Sequence, residues 1–170
     1  MPTKQSIRSA IVPLVAMCAA ALAANGIAAD MMKMPKPDAE AVKRYLTTEN
    51  YRSAWKFFPG KQALYKGVEP HGLLLTTYVN PVAYTAISVP GNRLPHGSII
   101  VKENYTPDKK LAAVTVMYKV EDFNPEHNNW YWLKYLPDGK VEASGKVASC
   151  QGCHAQSKND YVMTPLPKPK

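Results

Sequence analysis

Of everything in this 170-residue chain, "CQGCH" at residues 150–154 most limits the fold, because it asks the end of the chain to build a site. Two cysteines three apart, followed at once by a histidine, admit three readings. They are a redox pair, half of a zinc site, or two thioether anchors and an axial ligand for haem. On a helical turn Cys150 and Cys153 face the same side, with His154 beside them. That spacing lets both thiols bond one porphyrin edge while the imidazole reaches the iron. Zinc needs further ligands with their own spacing, and no second C-x-x-C exists. A thioredoxin-like pair follows an early strand in a βαβ unit, whereas this one comes late. One covalently bound haem c is the reading that remains, held by Cys150 and Cys153 with His154 on the metal.

The start of the chain agrees with that chemistry. Lys4 and Arg8 precede "AIVPLVAMCAAALAA" (10–24), an apolar run too short to span a bilayer, and small residues follow in "NGIAAD". This pattern predicts a secretory signal peptide over residues 1–29, cleaved near Ala28 or Ala29, and a mature domain over 30–170. Export to the bacterial periplasm is expected, with no membrane span after cleavage. Only Cys150 and Cys153 then remain, and a disulfide closing so small a loop would stabilise little. Leaving out Lys4 and Arg8, 19 Lys and Arg face 13 Asp and Glu, a net charge of +6. The charge is scattered, without the basic run interleaved with aromatics that nucleic acid requires. It suits a solvated surface or an acidic redox partner protein.

Residues 35–58 are helical in pattern: Asp38 is a candidate cap, and Val42, Tyr45 and Leu46 recur at helical spacing. Beyond "PG" at 59–60 the pattern turns to strands at 71–80, 97–105, 111–121 and 129–136, with a short fifth in "PDGKVEASG". "PVAYTAIS" (81–88) predicts a short helix with proline at its first position. The expected fold is α+β: a mostly antiparallel sheet of about five strands, N-terminal helices and a short C-terminal haem-binding helix. In 111–121, Ala112, Val114, Val116, Tyr118 and Val120 share one face. Leu111, Ala113, Thr115, Met117 and Lys119 share the other, apolar enough to need partial cover.

Electron-transfer cytochromes c carry the haem motif early and an axial methionine far downstream. Here only Met163 follows His154, too soon to fold back to the opposite haem face. Met117, on a strand, reads as core. The iron is therefore expected to have five ligands and an open distal side.

The segments "YRSAW", "PHG…TYVNP", "LPHGSIIVKE", "FNPEHNNWYW", "ASCQGCH" and "DYVMT" occur in one order between Tyr51 and Thr164. Together they resemble the cytochrome P-460 family, including the related cytochromes c′-beta. That resemblance implies a distal pocket, and it singles out Lys102 in "IIVKE" as the lysine that such proteins join to a porphyrin meso carbon. By strand alternation Ile100 and Lys102 share a face, and Ile99, Val101 and Glu103 the other. His71 falls where the family has a distal residue, and its imidazole suits a hydrogen bond to ligand or the acceptance of a proton. His96 and His127 sit in turn-like contexts and read as surface residues.

One departure stands out. Hydroxylamine-oxidising members place a pocket carboxylate on the strand matching "VTVMYKV", where this chain has Thr115 and no acid before Glu121. Lys102 and His71 are thus the candidate catalytic residues of a periplasmic haem protein that binds or oxidises hydroxylamine or nitric oxide. A non-enzymatic nitric oxide binder is the second reading and an electron carrier the third. A homodimer is compatible with each.

Overall fold

The computed structural model describes residues 34–89 and 93–164, so the expected signal peptide and the tail "PLPKPK" lie outside the described residues. Asp38 starts the first helix, α1 (Ala39–Thr48), by accepting a hydrogen bond from the Ala41 N–H at 2.9 Å. Val42 and Leu46, one turn apart, are buried. The helix does not run to residue 58. Asn50 takes the left-handed conformation (φ 47°), which an amide side chain tolerates better than most, and the helix stops there. The chain restarts as a single turn, α2 (Tyr51–Ala54), and Lys56–Phe57 then forms a strand, β1.

A second two-residue strand, β2 (Tyr65–Lys66), precedes β3 (Leu74–Val79). Both β1 and β2 pair with β3, so the sheet has seven strands rather than about five. Asn80 caps α3 (Pro81–Ile87), which has proline in its first turn as the sequence predicts. The Asn80 amide oxygen accepts from both Ala83 N and Ile99 N at 3.0 Å, fastening the helix to the next strand. There follow β4 (Ile99–Tyr105), β5 (Leu111–Lys119), a 3-10 turn (Pro125–His127), β6 (Trp130–Tyr135), β7 (Val141–Gly145) and α4 (Ala148–His154). The order β1-β3-β4-β5-β6-β7, antiparallel throughout with β2 beside β3, is an α+β arrangement.

Alternation divides the sheet into two apolar faces. On one, α1 and α2 bring Val42, Leu46, Tyr51 and Trp55 against Val101, Val114, Val116, Tyr118, Tyr131 and Leu133. On the other, Ala83, Ala86 and Ile87 of α3 pack with Val79, Ile100, Met117, Trp130, Trp132 and Val162. The apolar second face is therefore covered at that end. The expected faces of β5 hold from Ala113 onward and fail before it. A register shift pairs Tyr105 with Leu111 and Asn104 with Ala113, so Leu111 packs with the helices and Ala112 turns to the opposite side.

The helix-covered face also fixes which way Lys102 points. Glu103, next to it, is fully buried and accepts from the Tyr51 hydroxyl (2.7 Å), Arg52 Nε (2.5 Å) and the Tyr105 hydroxyl (2.6 Å). A carboxylate satisfied this way cannot change sides without leaving a buried charge unpaired. Lys102 therefore stays on the opposite face.

Candidate functional site

Where α3 no longer covers the second face, the sheet forms the floor of a cavity of about 880 Å³. That is room for a cofactor-sized ligand. Two cross-strand rows make the floor. Ile100, Met117 and Trp132 lie opposite one another on β4, β5 and β6, and so do Lys102, Thr115 and Lys134. The first row is apolar and the second is polar. Helix α4 forms one wall, with Cys150 half-buried and Cys153 exposed, both lining the cavity as free thiols. Burial pushes the Cys150 thiol up, unlike the depressed values that activate redox pairs.

His154 ends α4 and is buried. Its Nδ1 lies 2.7 Å from the carbonyl oxygen of Tyr161. A carbonyl only accepts, so Nδ1 carries the proton and Nε2 is left with a lone pair, as a metal ligand needs. Burial pulls the imidazole below its ordinary value, which keeps that lone pair free at neutral pH. Trp132 packs edge-on against the ring, with centroids 4.7 Å apart.

The carbonyl that orients His154 is itself held in an unfavourable backbone. Asp160 and Tyr161 are both left-handed (φ 50° and 68°). Such residues cost about 1–3 kcal/mol each and persist only where the surroundings impose them. Here the Asp160 side chain does so. Its carboxylate accepts from Lys119 Nζ, from Leu94 N (3.1 Å) and from Asn128 Nδ2 (3.0 Å), while its carbonyl accepts from Trp130 Nε1 (3.0 Å). Both Lys119 and Asp160 are buried. Sequence reading missed this pair, although Asp160 opens the quoted "DYVMT" segment. Asp160→Ala would leave the Lys119 charge buried and alone, at about 3–5 kcal/mol. The expected result is a much lower urea midpoint, checked against Asp160→Ala with Lys119→Met, which should recover part of the loss. A wild-type midpoint for Asp160→Ala would show that the pair does not hold this loop.

His71 and Lys102 are brought into the same cavity from the other side. The His71 and His154 ring centroids are 5.9 Å apart and nearly perpendicular. Burial, aided by the positive Lys102, lowers His71 to about 4, so the ring is neutral near pH 7. Burial likewise lowers Lys102 to about 8. Its amine is then free base in about a tenth of molecules at pH 7, far more than for an exposed lysine. Thr115 faces the cavity on β5, as expected, and the carboxylates on the lining are Glu69 and Glu142. Glu142 is occupied by Lys134 at 2.8 Å. Met163 reaches the cavity edge half exposed, and the Ser157 hydroxyl ties its neighbour Val162 back toward α4 at 2.7 Å. His96 lies beside Glu121, and His127 is 3.2 Å from the Tyr161 hydroxyl; neither lines the cavity.

These residues fit a haem. Ile100, Met117 and Trp132 offer an apolar surface to a flat macrocycle, with the Lys102 amine in the adjoining cross-strand row. Trp132 Nε1 is buried with no hydrogen-bond partner among the described residues, as expected where a bound group supplies the acceptor. Zinc fits less well. Among the described residues no three His, Cys, Asp or Glu side chains gather as a metal site, and zinc takes four ligands.

A search of curated proteins returned no match to this chain. The family model for cytochrome P460 matches residues 48–164, well over half of its length and including every cavity residue discussed above. The chain belongs to the cytochrome P460 family, which implies a haem cofactor.

Proposed function

We propose that this protein is an exported, periplasmic cytochrome holding one haem covalently, and that it binds or oxidises small nitrogen species such as hydroxylamine or nitric oxide. The observation that carries the reading is the α4 rim. Cys150 and Cys153 line the cavity there, and the Tyr161 carbonyl leaves the His154 Nε2 lone pair free for iron. Haem supplies the redox-active metal, and the chain supplies anchors, an axial ligand and the groups around the open side. The net charge of the mature chain suits docking of an acidic redox partner that would carry electrons away.

Hydroxylamine must lose protons together with electrons. Apart from the exposed Glu69 at the rim, the uncommitted bases on the lining are the His71 imidazole and the Lys102 amine, since β5 contributes Thr115 where an acid is expected. That observation favours a second reading, nitric oxide binding without turnover. Steady-state oxidation of hydroxylamine by the haem-loaded protein, followed with an electron-accepting dye, decides between them. Turnover lost on replacing Lys102 supports the enzyme. Nitric oxide binding with no turnover supports the binder.

A further inference from the structure

His71 stands closer to His154 than a distal residue with room for a ligand should. Two imidazoles sharing one metal, at bonds of about 2 Å each, have ring centres roughly 6 Å apart. A distal histidine that only hydrogen-bonds a metal-held ligand stands back by a further hydrogen bond of about 3 Å. The observed 5.9 Å matches the first arrangement.

The hydrogen bonds set the chemistry in the same way. The Asn104 amide nitrogen donates to the carbonyls of Lys102 (3.0 Å) and Ala113 (3.1 Å), and lies 3.3 Å from the Thr115 hydroxyl. Carbonyls cannot donate, so the amide oxygen must face His71 Nδ1, 3.2 Å away. His71 Nδ1 then carries the proton, and Nε2 keeps a lone pair. An acceptor on each Nδ1–H (Tyr161 carbonyl for His154, Asn104 for His71) is how metal-bound histidines are normally oriented. Neither imidazole needs to lose a proton to bind metal.

His71 sits on the loop between β2 and β3, where Val68, Glu69, Pro70 and Leu73 are exposed. Gly72, next to it, is left-handed (φ +86°), and a Cβ there would meet the Tyr105 carbonyl at 3.2 Å. The loop keeps its ends together through Gly67 N and the Leu73 carbonyl at 2.8 Å, whatever the imidazole does.

We propose that His71 is a displaceable sixth ligand of the haem iron, closing the distal position at rest through Nε2 and leaving when a small nitrogen ligand binds. One metal–nitrogen bond breaks and another forms, with no net proton or electron transfer. The inference rests on the haem reading above and replaces the five-ligand resting state expected from sequence.

The test uses haem-loaded protein whose thioether attachment is first established by intact mass. Its resting ferric optical and electron paramagnetic resonance spectra should be low-spin. His71→Ala should turn them high-spin, and added imidazole should restore the low-spin form. Carbon monoxide should bind ferrous His71→Ala faster than wild type by about 10- to 100-fold, the reciprocal of a 1–10% open fraction. His71→Gln, closer in size, guards against a misfolded alanine variant and should also be high-spin. A high-spin wild type, or a low-spin signal that survives both substitutions, overturns the proposal. Mass showing no haem overturns it together with the reading it rests on, and so separates the two failures.

Discussion

In protein that also carries Lys102→Ala, so that no lysine bond can hold the ring, replacing both Cys150 and Cys153 with alanine should release all the haem into acid-acetone, whereas Lys102→Ala alone should retain one haem per chain. Both sulfurs border the cavity from one turn of α4. Each thioether would make the other and the His154–iron bond effectively intramolecular, so none of the three can leave alone. Either single variant should therefore keep its haem by the remaining thioether. Without the thioethers and the lysine, only the histidines and the apolar floor hold the haem, and acid removes the histidines' hold by protonating the imidazoles. The melting temperature should also fall, because a cofactor that binds only the folded chain stabilises it by its binding free energy. Wild-type protein that comes out haem-free and binds zinc tightly would sink the assignment.

What was legible in the sequence was mostly local. Alternation along residues 99–103 separates Ile100 and Lys102 from Ile99, Val101 and Glu103, and the cavity takes the first pair. The Asn80-Pro81 start of a helix and the cysteine spacing are equally short-range signals. Two strands went unseen because Lys56–Phe57 and Tyr65–Lys66 are too short to show a period, and exist only by pairing with β3. Leu111 was assigned to the wrong face because a bulge beside it adds a residue that composition does not mark. The site's supports were hidden for a different reason. Asp160 meets Lys119 across 41 positions, and Asn104 meets His71 across 33. Those contacts are made by the order of strands in the sheet, and no window along the chain contains both partners. The second sets the tautomer of His71, and the first holds the loop whose Tyr161 carbonyl sets that of His154, so the cavity's histidines were readable while their protonation was not.

Lys102→Ala is expected to change both colour and reactivity. The amine lies on the cavity floor with burial lowering it from 10.5 to about 8, so its free base, the nucleophilic form, is accessible near neutral pH. Joining it to a macrocycle carbon removes one hydrogen from nitrogen and one from carbon, so it needs a two-electron oxidant, for which hydrogen peroxide is to be added to the haem-loaded protein. The link should form faster as pH rises through about 8 and level off above it, because the charged amine that prevails below has no lone pair to give. A nitrogen substituent lowers the symmetry of the conjugated ring, so wild-type bands should lie well to the red of an ordinary c-type spectrum. Proteolysis should leave one haem peptide containing both "CQGCH" and "VKE". In Lys102→Ala the ordinary spectrum should return with the thioethers intact, and oxidation of hydroxylamine should cease. Even the linked wild type should be slow. Thr115 replaces the expected acid, and a positioned general base contributes about 10²–10⁴-fold. A wild-type spectrum already ordinary, with Lys102 in an unlinked peptide, would dispose of the link. The lysine would then be a buried amine beside the distal position, and the cavity a binding site for nitric oxide.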